Sequence, residues 1–137
     1  MPAHDRKEEQ FSLALESIQG KRRAELTVDA ANALVARFAE ERDPVARLRL
    51  AHELIRRNFA PDIRLDLGSA APDAERHEPA GTRFLAEITG EAAPRATLSA
   101  AYCRPDSSGR TAEEWRAALT LLAGVAALGA GGRLSCP

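Results

Sequence analysis

Residues 117–132 read AALTLLAGVAALGAGG, sixteen positions without a charge in a chain that is 28% charged. A helix apolar on every side has to be covered by its own domain, by a partner or by lipid. Its start is marked: Thr111 followed three residues later by Glu114 has the form of a capping box. A bilayer-spanning helix wants about 20 predominantly apolar residues, so this run is expected to be buried in protein, and no membrane partner is expected.

Upstream of it, residues 82–89 alternate Phe84, Ala86 and Ile88 against Arg83, Leu85 and Glu87. Residues 95–102 return with Ala96, Leu98, Ala100 and Tyr102 on one face, and the Gly90–Pro94 turn joins the two runs into a β-hairpin. Residues 63–67 (IRLDL) also alternate and form a third short strand, whose partner the sequence leaves open. The stretch 68–81, rich in Ala, Pro, Asp and Glu, is expected to be a mobile loop.

The first 60 residues are helical in pattern. Phe11, Ala14, Leu15 and Ile18 stand at i, i+3, i+4 and i+7, and Gly20 is expected to stop that helix. A second helix is expected from about Thr27 to Arg42, with Leu34, Val35 and Phe38 on one face. Asp43-Pro44 starts a third, because Asp caps and Pro suits the first turn. That helix aligns Val45, Leu48, Ile55 and Phe59 before Pro61 ends it.

The expected fold class is therefore α+β. About three N-terminal helices (1–60) precede a small antiparallel sheet with one β-hairpin (63–103), and an apolar C-terminal helix (111–130) closes a single domain of residues 1–137. A sheet of two or three strands needs helical cover, and the apolar helix is its natural source. Alanine dominates the apolar content and aromatics are only 4%, so each core residue buries little area and self-association would help.

Formal net charge is −1, which gives no general pull toward nucleic acid or anionic lipid. Arginine replaces lysine nearly everywhere, which fits coding bias in a GC-rich bacterial genome. Arg47, Arg49, Arg56, Arg57 and Arg64 are interleaved with Glu40, Glu41, Asp43 and Glu53 and lack an aromatic platform, so nucleic acid is not an expected partner. The polar opening MPAHDRKEEQ has no apolar signal segment, and two cysteines, Cys103 and Cys136, make no disulfide framework. A cytoplasmic protein with reduced thiols is expected.

No complete catalytic set is present. His4, His52 and His77 are dispersed and no paired CxxC or HExxH occurs, so neither a metal nor a cofactor is expected. His52-Glu53 has the ordinary reading of a solvated helix face rather than a general-base pair.

The segment from Cys103 to Thr111 (CRPDSSGRT) resembles the phosphate loop of cysteine-dependent phosphatases, in which a thiolate attacks a phosphoryl group cradled by backbone N–H groups and an Arg. Six residues separate Cys103 from Arg110, one more than that loop has, and Pro105 removes a donor. A narrower alternative keeps Ser107, Ser108, Gly109, Arg110 and Thr111 as a small-anion site at a helix start; the ordinary alternative is a polar turn and an N-cap. The double glycine at 131–132, followed by RLSCP, is similar to precursors of modified peptides cleaved after Gly-Gly; the ordinary reading is a helix terminator and a frayed end.

The reading that follows is a non-catalytic protein–protein interaction domain of adaptor, chaperone-like or regulatory kind. It would pair with itself, as a homodimer, or with another protein through Leu121, Gly124, Val125 and Leu128, where the small residues Ala117, Gly124 and Ala127 let backbones approach.

Overall fold

The computed structural model describes residues 2–68, 83–91, 93–102 and 109–136. The loop expected at 68–81 lies outside it apart from Gly68, as do Cys103, Ser107, Ser108 and His77. Among the described residues seven elements follow in order: α1 (Pro2–Phe38), α2 (Pro44–Asn58), β1 (Arg64–Leu67), β2 (Arg83–Thr89), β3 (Ala96–Ala101), α3 (Ala112–Gly129) and β4 (Arg133–Ser135).

The first finding corrects the helix count. Residues 2–38 are one 37-residue helix, so Gly20 neither stops it nor separates it from a helix at Thr27, and two N-terminal helices stand where about three were expected. A glycine ends a helix when it turns left-handed and lets the chain cap itself. Among the described glycines only Gly68, Gly109 and Gly131 have positive φ. Gly20 stays helical at a cost of about 1 kcal/mol relative to Ala, carried by good helix formers on both sides.

α2 starts as its sequence requires: the Asp43 carboxylate accepts from the Ala46 N–H at 3.0 Å, with Pro44 in the first turn. Its buried face is Leu48, Ala51 and Ile55.

The four strands lie in the order β1-β3-β2-β4, every pair antiparallel. The hairpin register sets Phe84 opposite Ala100, Ala86 opposite Leu98 and Ile88 opposite Ala96. Those six side chains form the buried face against the helices. β1 takes the free edge of β3, with Leu65 opposite Leu98, which settles its partner. On the other sheet face Thr97 and Ser99 are also buried, beside Asp66 on β1. The Ser99 hydroxyl and one Asp66 oxygen have no hydrogen-bond partner among the described residues.

α3 supplies Trp115, Leu119, Leu122, Ala123 and Ala126 to a core shared with α1, α2 and the sheet. Trp115 donates from Nε1 to the Phe59 carbonyl at 3.1 Å and packs 5.6 Å from the Tyr102 ring. The capping box is only half formed. The Thr111 hydroxyl accepts from the Glu114 N–H at 3.1 Å, but the Glu114 carboxylate turns to Arg23. Nor is α3 covered all round, since Ala117, Thr120, Leu121 and Leu128 are exposed.

The tail is not frayed through residue 135. Gly132 N–H donates to Ala127 O and Gly131 N–H to Leu128 O, with Gly131 left-handed at φ 82°, a Schellman ending. The chain then returns as β4 beside β2, with Leu134 opposite Ile88. A Cβ on Gly132 would sit 2.7 Å from the Thr89 carbonyl oxygen, so only glycine fits this crossing.

Candidate functional site: the groove between α1 and α3

Two contacts fix how α1 and α3 lie. Arg23 meets Glu114 in a two-pronged ion pair, Nε to Oε2 at 2.8 Å and Nη2 to Oε1 at 3.2 Å. Gly129 meets Phe38, whose ring would stand 2.3 Å from a Cβ added there. Both pairs are 91 positions apart, so the helices run parallel and in step. Arg47, at the start of α2, locks their far ends. It donates from Nη1 to Gly129 O at 2.8 Å, from Nη2 to Phe38 O at 2.7 Å, and from Nε to Glu41 O, with its guanidinium 5.4 Å from the Phe38 ring. One cation thus satisfies carbonyls at the negative ends of two helices.

Between the two helices runs an open cavity of about 360 Å³, walled by Ala24, Thr27 and Val28 on α1 and by Ala117, Ala118 and Leu121 on α3. Arg23, Glu114 and Arg110 line it where α3 begins. A second hollow of about 700 Å³ shares Arg23 and Glu114 and reaches Leu15, Gln19, Leu26, Gly109 and Thr111. The structure therefore gathers two separately read candidates, the Gly109–Thr111 turn and Leu121, around a single helix pair.

The described part of the anion candidate is occupied by its own chain. Arg110 is 5% exposed, and its guanidinium lies 4.4 Å from the Phe59 ring centroid. Its carbonyl accepts from the Tyr102 hydroxyl, and the Thr111 hydroxyl is spent on the cap. The first turn of α3 already carries Glu113 and Glu114, and Arg23 neutralises the latter. A helix start that holds carboxylates has little attraction left for a free anion.

The interaction candidate divides. Leu128 is 76% and Leu121 44% exposed, whereas Gly124 and Val125 are half-buried and Ala127 is fully buried. What the sequence reading missed is the matching side of α1: Val28 and Val35, each about half exposed. They stand seven residues apart, two helical turns, and the parallel register sets them level with Leu119 and Ala126, on the flank where Leu121 and Leu128 emerge. The flank is apolar and unsealed.

Elsewhere the polar groups have structural employment. His52 Nε2 lies 2.8 Å from the Ile63 carbonyl. Glu53 binds Arg56 at 2.6 and 2.9 Å and Arg57 at 2.9 Å. The hydrogen bond from Arg56 is the largest influence holding its carboxyl down to about 2, opposed by some desolvation and helped by Arg57. An acid that stays ionised down to that pH is a poor general base near neutrality. Among the described residues no three potential metal ligands cluster, and no helix is long and apolar enough to cross a membrane.

No protein-family model matches the chain, no curated protein matches its sequence, and no solved structure matches its fold.

Proposed function

We propose that this chain is a non-catalytic protein–protein interaction domain that receives a partner on the α1–α3 flank. The observation that carries the reading is the exposure of Val28, Val35, Leu121 and Leu128, of which Val28 and Leu121 line the apolar inter-helix cavity. Large side chains exposed together beside a groove mark binding surfaces more often than scattered ones do. A groove between two helices accepts the apolar face of a third, whose side chains enter at i, i+3 and i+7. The Arg23–Glu114 pair would give the mouth polar contacts that set direction.

The test is site-specific photo-crosslinking in the cells that make the protein. A crosslinking amino acid at Leu121 or Leu128 is expected to trap one discrete partner, and the same probe at Thr120, exposed outside the cavity lining, is not. Adding Val28→Asp should abolish the adduct while the buried Trp115 keeps its folded fluorescence. Equal labelling from all three positions, or unfolding by Leu121→Asp, would remove this surface from consideration.

A further inference from the structure

The sheet has a second face, opposite the one on which the helices pack. Successive side chains of a strand alternate between faces, so Thr97 and Ser99 point away from the helices, yet they are only 1% and 2% exposed. Thr97 lies between Asp66 and Glu87, and Ser99 between Arg64 and Leu85. One Asp66 oxygen and the Ser99 hydroxyl are buried with no hydrogen-bond partner among the described residues. Buried polar atoms in folded chains are nearly always paired. Something covers this strip.

We propose that the occupant is residues 69–82 of the same chain. β1 and β2 are each antiparallel to β3, so they run parallel with β3 between them. The chain leaves β1 at Leu67, level with Ala96, and enters β2 at Arg83, level with Ala101. It must therefore travel back along the sheet, about 17 Å along the strands and about 10 Å across them. A parallel connection needs a dozen or more residues, and residues 69–82 are long enough.

Handedness chooses the face. β3 and β4 are also parallel, with β2 between them, and α3 joins them. Both connections step the same way along the order β1-β3-β2-β4, but their strands point in opposite directions. Two such crossovers share a hand only when they lie on opposite faces, and parallel crossovers are right-handed in about 98% of cases. α3 packs on the face of Ala96, Leu98 and Ala100, so residues 69–82 belong on the face of Thr97 and Ser99. Residues 103–108 start and end on the α3 side, where Tyr102 packs on Trp115 and donates to the Arg110 carbonyl. Every residue of 69–82 except Pro72 and Pro79 has a backbone N–H, the kind of donor that Asp66 and Ser99 lack. This inference is independent of the α1–α3 flank, and it removes the sheet's second face from the surfaces open to a partner.

Thiol labelling of the full chain tests it. With Cys103→Ser and Cys136→Ser removing the native thiols, Ser99→Cys places one thiol on the covered strip. Iodoacetamide should modify it at least about a hundredfold more slowly than in the urea-unfolded chain. Replacing residues 70–80 by glycine and serine at equal length should raise that rate at least about tenfold, with Trp115 fluorescence unchanged. Fast labelling before the replacement, or slow labelling after it, overturns the proposal. If the replaced chain does not fold, a disulfide pair decides. Arg76 is near the midpoint of the segment, so Arg76→Cys with Ser99→Cys should form an intramolecular bond on oxidation. Arg76→Cys with Thr120→Cys, a position exposed on α3, should not. A bond at position 120 instead, bonds at both positions or a bond at neither overturns the proposal.

Discussion

The two halves of α1 make the sharpest contrast in the molecule. Residues 23–38 and 6–22 belong to one unbroken helix of mixed charged and apolar composition. In the first, Thr27, Leu34 and Phe38 are buried and Arg23 is pinned to Glu114; in the second, no residue is buried. Helical state and burial are therefore separate properties: the docked half is held by packing, the free half by continuity with it. Most helical stability in proteins comes from tertiary packing rather than from propensity, so this free arm, residues 6–22, relies on its root in the docked half.

The largest expected effect separates the halves by substitution. Leu34 is 1% exposed, and Leu34→Ala should cost about 2–5 kcal/mol in urea unfolding followed at Trp115. Phe11→Ala, in dilute monomer, should stay within about 0.5 kcal/mol. Equal costs would erase the distinction and make the arm part of the core.

Glycine gives the next contrast, with opposite signs. Gly129→Ala drives a Cβ into the Phe38 ring and should destabilise by about 1–3 kcal/mol, overpacking outweighing the gain in helix propensity. At Gly20 the nearest atom to a new Cβ is Arg23 Nη2 at 3.7 Å, an ordinary contact. Gly20→Ala should therefore stabilise the arm by about 0.5–1 kcal/mol. The gain should appear as slower amide exchange at residues 6–20 with little change at Trp115, because the arm opens locally. If Trp115 reports the whole gain, the halves unfold as one.

The same residues show what the sequence could reveal. The hairpin was legible because Phe84, Ala86 and Ile88 and their partners alternate without a break, and α2 because Asp43-Pro44 is a local signal. The run through Gly20 was not, since one glycine serves equally as a terminator or as a costly helical residue, and only its backbone conformation, helical and without the left-handed turn, shows which. Arg47 looked like surface charge because its acceptors are carbonyls of Phe38, Glu41 and Gly129, which no pattern of side chains announces. β4 is three residues long, too short for periodicity. Leu121 and Leu128 stood out in the charge-free run, while Val28 and Val35 needed the parallel register to join them.

The smallest prediction asks whether surface charge stabilises the docked body separately from the arm. Glu53 is tied to Arg56 and Arg57 on the outer face of α2. These contacts, the Arg56 hydrogen bond foremost, lower its carboxyl from an ordinary 4.5 to about 2. A folded-state value below the unfolded one means that the unfolded chain takes up the proton first as pH falls. The stabilisation is complete above about pH 4.5, declines below it, and is gone once pH passes about 2. Glu53→Gln should therefore lower the urea midpoint at pH 7, with the gap to the parent chain closing between pH 4.5 and 2. Since all three side chains are substantially exposed, the gap is small and should shrink in 1 M salt, where the screening length falls to about 3 Å. Amide exchange in residues 6–20 should be the same in both proteins at pH 7. If removing a charge on α2 loosens the arm as well, the two halves of α1 are coupled through the body, and the independence inferred from burial fails at its most sensitive point.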